Sequence, residues 1–165
     1  MKPSIIILIV LASSFSGGYA QTDQASEAMR SYRYREAIEL LESAPESEEN
    51  QLLKAECYQM LNDYPAALEI YKSLTTSKNE SVGILTAAAD CASQAGEYEL
   101  SLSYWLKARV LSPDNLFLKS RVAVAYYRAG DWQGTLTAAE EVFRQDSLPM
   151  LLRMAGDAHI RLDDG

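Results

Sequence analysis

"SQAGEYELSLSYW" runs from Ser93 to Trp105, and "YRAGDWQGTLTAA" runs from Tyr127 to Ala139, thirty-four residues further on. Each phrase holds Ala-Gly, then an acid and an aromatic, and each leads into a run with small residues at helical spacing. Self-similarity at a fixed period of roughly 20 to 50 residues marks a stacked-repeat architecture. Working outward, three longer phrases fall into register: "LKAECYQMLNDYPAALEIYKSL" from Leu53, "AAADCASQAGEYELSLSYWLKA" from Ala87 and "RVAVAYYRAGDWQGTLTAAEEV" from Arg121. The period is constant at 34. Two helices around each central turn are predicted.

The columns give the reason. Ala55, Ala89 and Ala123 begin each match, and Tyr58, Ala92 and Tyr126 follow one turn later on the same face. The turns read Asn62-Asp63-Tyr64, Gly96-Glu97-Tyr98 and Gly130-Asp131-Trp132. Asn or Gly there can take the left-handed conformation that ends a helix, and the acid after it is expected to cap the next one. Pro65 falls just inside that next helix, where its missing N–H costs nothing. The second helices carry Ala67, Ser101 and Thr135, then Tyr71, Trp105 and Ala139, then Leu74, Ala108 and Val142. Ser112-Pro113 separates the third pair from the fourth.

These residues resemble the tetratricopeptide repeat (TPR) family, which pairs antiparallel helices in 34-residue units of this grammar. Variants with longer loops, or with helices one turn different, compete less well against a constant 34. The resemblance implies an all-α solenoid, a right-handed superhelix of about four units and a partial fifth. Units are expected at 21–47, 48–81, 82–115, 116–148 and 149–165. The first is short, with Ala28, Tyr34, Ala37 and Leu41 before Pro45, as a capping repeat would be. In the last, Gly156 and His159 fall in the small and large columns, after a unit shortened by one residue. Either a truncated sequence, or another helix following to cover Leu151, Leu152, Ala155 and Ile160, is expected. The sequence departs from the family pattern at Ala92, Ala139 and Asn62.

The first twenty residues, "MKPSIIILIVLASSFSGGYA", form a separate segment. One basic residue, an apolar run from Ile5 to Ala12 and small residues at Gly18 and Ala20 have the form of a secretory signal peptide. The run falls short of the roughly 20 residues that span a bilayer. Cleavage after Ala20 would leave a periplasmic or extracellular protein without membrane insertion. The chain has 165 residues, 48% of them hydrophobic, which suits a folded domain. After residue 20 it carries 14 basic and 23 acidic side chains, a charge that argues against nucleic-acid partners.

Candidate chemistry is sparse. Cys57 and Cys91 stand in one column of successive first helices, where other units have Ala125 and Ala158. Neighbouring helix axes lie about 8–10 Å apart, too far for a disulfide that needs Cα atoms within about 7 Å. Buried thiols are expected. His159 is the only histidine, in a column that packs, and no partner with metal-ligand spacing accompanies it. No nucleophile elbow, phosphate loop or dinucleotide fingerprint occurs, so neither an enzyme nor a cofactor or metal is expected. Asn79-Glu80-Ser81 and Asp146-Ser147-Leu148 have only the form of short glycosylation acceptors.

The resemblance also places a ligand. Family members use the concave wall built from the first helices. Its columns here hold Glu56, Gln59 and Met60, then Asp90, Ser93 and Gln94, then Val124, Tyr127 and Arg128, then Asp157 and Arg161. Tyr127 and Arg128 form the pair most like an interface anchor. The Lys- and Asn-rich clamp of some members, which grips a peptide carboxylate, is missing. A protein-interaction adaptor of the cell envelope, holding an extended segment of another protein, is the expected function. A small-molecule or glycan-binding domain, or a spacer without its own ligand, is the alternative.

Overall fold

The structure is a computed structural model that describes residues 20–76 and 80–163. The signal segment through residue 19 and the acceptor Asn79 lie outside the described residues. Among those described there are nine helices and no strand. They are α1 over residues 20–30, α2 (Tyr34–Ser43), α3 (Glu48–Met60), α4 (Tyr64–Leu74), α5 (Val82–Gln94), α6 (Tyr98–Leu111), α7 (Leu116–Ala129), α8 (Trp132–Phe143) and α9 (Pro149–Asp163). The chain divides into two compact units, one through Ile70 and one from Tyr71, with the boundary falling within α4.

The same stop recurs four times. Asn62, Gly96 and Gly130 take positive φ of 60°, 83° and 77°, as their residue types predict. In each case the following N–H reaches the carbonyl five residues back: Asp63 to Tyr58 at 2.9 Å, Glu97 to Ala92 at 2.8 Å and Asp131 to Tyr126 at 3.0 Å. That is the helix-ending bond of a Schellman motif. The first turn closes identically, Arg33 N–H to the Ala28 carbonyl at 2.8 Å, with Tyr32 at φ 60° in the left-handed place. Nothing about an aromatic residue signals that conformation.

Two of the three turn acids cap as expected. Asp63 Oδ1 accepts from the Ala66 N–H at 3.3 Å, and Asp131 Oδ1 accepts from the Gly134 N–H at 2.7 Å. Glu97 corrects the expectation, since its side chain makes no capping bond to α6. Its carboxylate, one methylene further out, instead lies 3.8 Å from Lys72 Nζ. Ser47, Ser81 and Asn115 cap α3, α5 and α7.

In the unit through Ile70, Ala25, Ala28, Ala37, Ile38, Leu41 and Cys57 make the core, with Met29, Tyr34, Leu53 and Tyr58 packed against it. In the unit from Tyr71, α5 packs on α6, α7 on α6 and α8, and α9 on α8 and α7. The small columns are buried as predicted, Ala89, Ala123 and Thr135 fully. The hydroxyls among them find acceptors, Ser101 on the Ala89 carbonyl and Thr135 on the Asp131 carbonyl, both at 2.7 Å. Lys119 is buried on α7, and Glu141 of α8 holds its ammonium at 3.5 Å.

Three expectations for α9 change. His159 and Gly156 are exposed rather than packed. In α5 and α7 those columns face the second helix of the pair, and no such helix follows α9 among the described residues. Leu151 is already fully buried, while Leu152 and Ile160 stay open at 52% and 60% exposure.

Cys57 and Cys91 are both buried thiols. Burial, helped by the charge of Glu56, pushes the Cys57 thiol up to about 11 from 9.0. The folded state therefore favours the neutral thiol. Its contribution is complete below about pH 9 and is lost as pH rises toward 11, where the unfolded chain ionises first. Stability is expected to fall over that window by on the order of 2 kcal/mol. Denaturation at pH 8 and pH 10.5 checks this, and Cys57→Ala should flatten the difference.

Candidate functional site

The first helices of the unit from Tyr71 carry most of the wall columns, and side chains brace them crosswise. Arg121 of α7 donates to Asp90 of α5, Arg128 of α7 donates to the Ser93 hydroxyl of α5, and the Tyr127 hydroxyl donates to the Asp157 carboxylate of α9. Arg161 Nε lies 4.0 Å from Asp157, and its guanidinium sits 5.7 Å over the Trp132 ring. Tyr127 meets that ring edge-on at 5.6 Å. The bond to Asp157, then burial, raises the Tyr127 phenol above its usual value, with Arg161 and Arg153 opposing. Each partner removes a polar atom that a ligand would otherwise have to desolvate.

The predicted wall residues stand at different depths. Gln94, Arg128 and Arg161 are exposed. Val124 and Ser93 are not surface groups, being 6% and 8% exposed. Val124 packs into the core between neighbouring helices, and Ser93 is covered by the arginine it accepts from. Tyr127 and Arg128, the expected anchor pair, act first as braces between helices.

Arg121 belongs to the wall although it was not among the expected residues. It shares a face with Val124 and Arg128 at helical spacing, and that spacing was the available signal. Its guanidinium lies 4.8 Å over the Trp105 ring, which Phe117 meets edge-on at 6.1 Å.

The unit through Ile70 holds the remaining wall residues and a cleft of about 320 Å³. Met29, Tyr34, Leu53 and Met60 supply its apolar lining, and Ser26, Arg30 and Glu56 its polar edge. Tyr32 gives the register. Counted back from that left-handed residue as Ala55, Glu56, Gln59 and Met60 are from Asn62, the first unit offers Ala25, Ser26, Met29 and Arg30. Ala25 is fully buried, as Ala55 is. Ser26, Met29 and Arg30 thus occupy the wall columns of a unit whose register the sequence hid. Gln59 is half-buried at the same face. Among the described residues no group of three or more His, Cys, Asp or Glu is placed to hold a metal ion.

Repeated helix pairs, repeated left-handed stops and a repeated small column place this chain in the class of tetratricopeptide-repeat folds. Within that class, the family model described as anaphase-promoting complex, cyclosome, subunit 3 matches residues 30–108, a little under half of the chain. Among solved structures, MamA from Desulfovibrio magneticus RS-1, residue 41 to its end, aligns at a TM-score of 0.75 with 14% identity, over 90% of this chain and 86% of that one. MamA of AMB-1 aligns at 0.73 with 15% identity, over 88% and 82%. YrrB, described as a TPR protein with an unusual peptide-binding site, aligns at 0.75 with 13% identity, over 88% and 78%. At such identities the likeness speaks to fold. No curated protein matches the chain significantly.

Proposed function

We propose that this chain is a non-catalytic interaction scaffold, exported to the cell envelope, which holds an extended segment of another protein against the wall of its first helices. One observation carries the reading. The wall of α5, α7 and α9 is pre-ordered by the Arg121–Asp90, Arg128–Ser93 and Tyr127–Asp157 bonds, so a ligand immobilises few side chains on binding. The peptide-binding description of YrrB, a protein of the same fold, supports it. The apolar run Ile5–Ala12 with Gly18 and Ala20 supports export. Two aromatics that could have formed a platform for a glycan, Tyr71 and Trp105, are withdrawn into the core at 4% and 2% exposure.

The test is affinity capture from the envelope of the native host. Gln94→Lys changes an exposed wall position and spares the braces on α7, while Glu140→Lys changes the exposed face of a second helix. A partner kept by the unaltered chain and by Glu140→Lys, and lost by the wall variant, is the expected result. Recovery indifferent to the wall variant would overturn the reading.

A further inference from the structure

From the cleft of the first unit we infer that a bound segment is anchored there, by one large apolar side chain flanked by a basic residue. This rests on the scaffold reading and names the partner's chemistry. The volume of about 320 Å³ lies at the small end of ligand pockets, roughly 300–1,000 Å³. It suits a single side chain better than a whole small molecule. The lining is adaptable, because Met29 of α1 and Met60 of α3 stand in it together with Leu53 and Tyr34 and methionine reshapes around varied guests. Met60 is 52% exposed.

Charge selects what flanks the anchor. Arg30 of the lining is already paired with Glu27 at 2.9 Å. Glu56 of the lining is exposed and pairs with no cation among the described residues. Residues 21–70 hold four basic and eleven acidic side chains. Three of the four bases are engaged internally, Arg30 with Glu27, Arg33 with Glu36 and Lys54 with Glu42. The field around the cleft is therefore negative, and it draws Lys or Arg on the segment toward Glu56.

Methionine-methyl NMR of the full-length chain tests this, with an acetylated and amidated peptide of sequence AAKFKAA as the probe. Saturable shifts of the Met29 and Met60 methyls, with Met150 and Met154 unmoved, are expected. Replacing the peptide's Phe by Ala, its Lys residues by Glu, or Glu56→Lys in the protein should each weaken binding at least about tenfold. Glu56 is exposed, so its variant leaves the fold intact, which helical circular dichroism verifies. Shifts confined to Met150 and Met154, equal binding by the Glu-flanked peptide, N-acetylphenylalaninamide binding as tightly as the peptide, or no saturable shift at millimolar peptide would each overturn the inference. The captured partner separates the two claims. A partner lost by the wall variant but kept by Glu56→Lys removes the cleft anchor and leaves the scaffold standing.

Discussion

Trp105→Ala is expected to destabilise the unit from Tyr71 by about 3–5 kcal/mol, the usual range for deleting a buried aromatic. The ring is 2% exposed on α6, and two groups of α7 rest on it, Arg121 at 4.8 Å and Phe117 at 6.1 Å. Its loss opens a cavity and removes the surface on which Arg121 lies while donating to Asp90. Against a total stability of about 5–15 kcal/mol for a typical domain, that is a severe change. Chemical denaturation followed by far-ultraviolet circular dichroism reads it directly. A loss under about 1 kcal/mol would mean that α6 and α7 are held by other contacts.

Gly134→Leu is the second large effect, and it runs against helix propensity. Glycine inside a helix normally costs about 1 kcal/mol relative to alanine, so replacement should help. Here a Cβ on Gly134 would meet Cδ1 of the Tyr126 ring at 2.5 Å and Oδ2 of the capping Asp131 at 2.8 Å. Overpacking of that kind costs about 1–3 kcal/mol. The repeat supplies its own remedy. The columns that hold Tyr126 and Gly134 hold Tyr58 and Ala66 in one unit and Ala92 and Leu100 in another. Large on one helix accompanies small on the other. Tyr126→Ala should therefore recover most of the loss in the Gly134→Leu background. A double-mutant cycle showing simple additivity would refute this exchange of sizes.

That reciprocity was present in the sequence, but only the space between two helices makes it legible. What could be read directly was whatever depends on one residue's own backbone. Asn62, Gly96 and Gly130 announce left-handed stops, and Ala55, Ala89 and Ala123 announce close approach. Tyr32 takes the same stop with no such signal, so the register of the first unit, and with it the cleft, stayed hidden. The wall columns followed from helical period, yet not what each side chain does there. Tyr127 reaches Asp157 thirty residues on, and Arg121 reaches back thirty-one to Asp90. Those bonds depend on the spacing of neighbouring first helices and on rotamers. His159 shows the converse, because a column packs only where a second helix lies over it.

The wall of first helices is the surface that we propose meets a partner. The most direct measurement installs a photocrosslinking benzoylphenylalanine at Gln94 on that wall, and separately at Glu140 on α8, in the native host. Both positions are exposed, so neither substitution disturbs the core. A discrete protein adduct from Gln94 and none from Glu140 is the predicted result. An adduct from Glu140 alone, or equal adducts from both, would contradict the account and move the partner to the second helices.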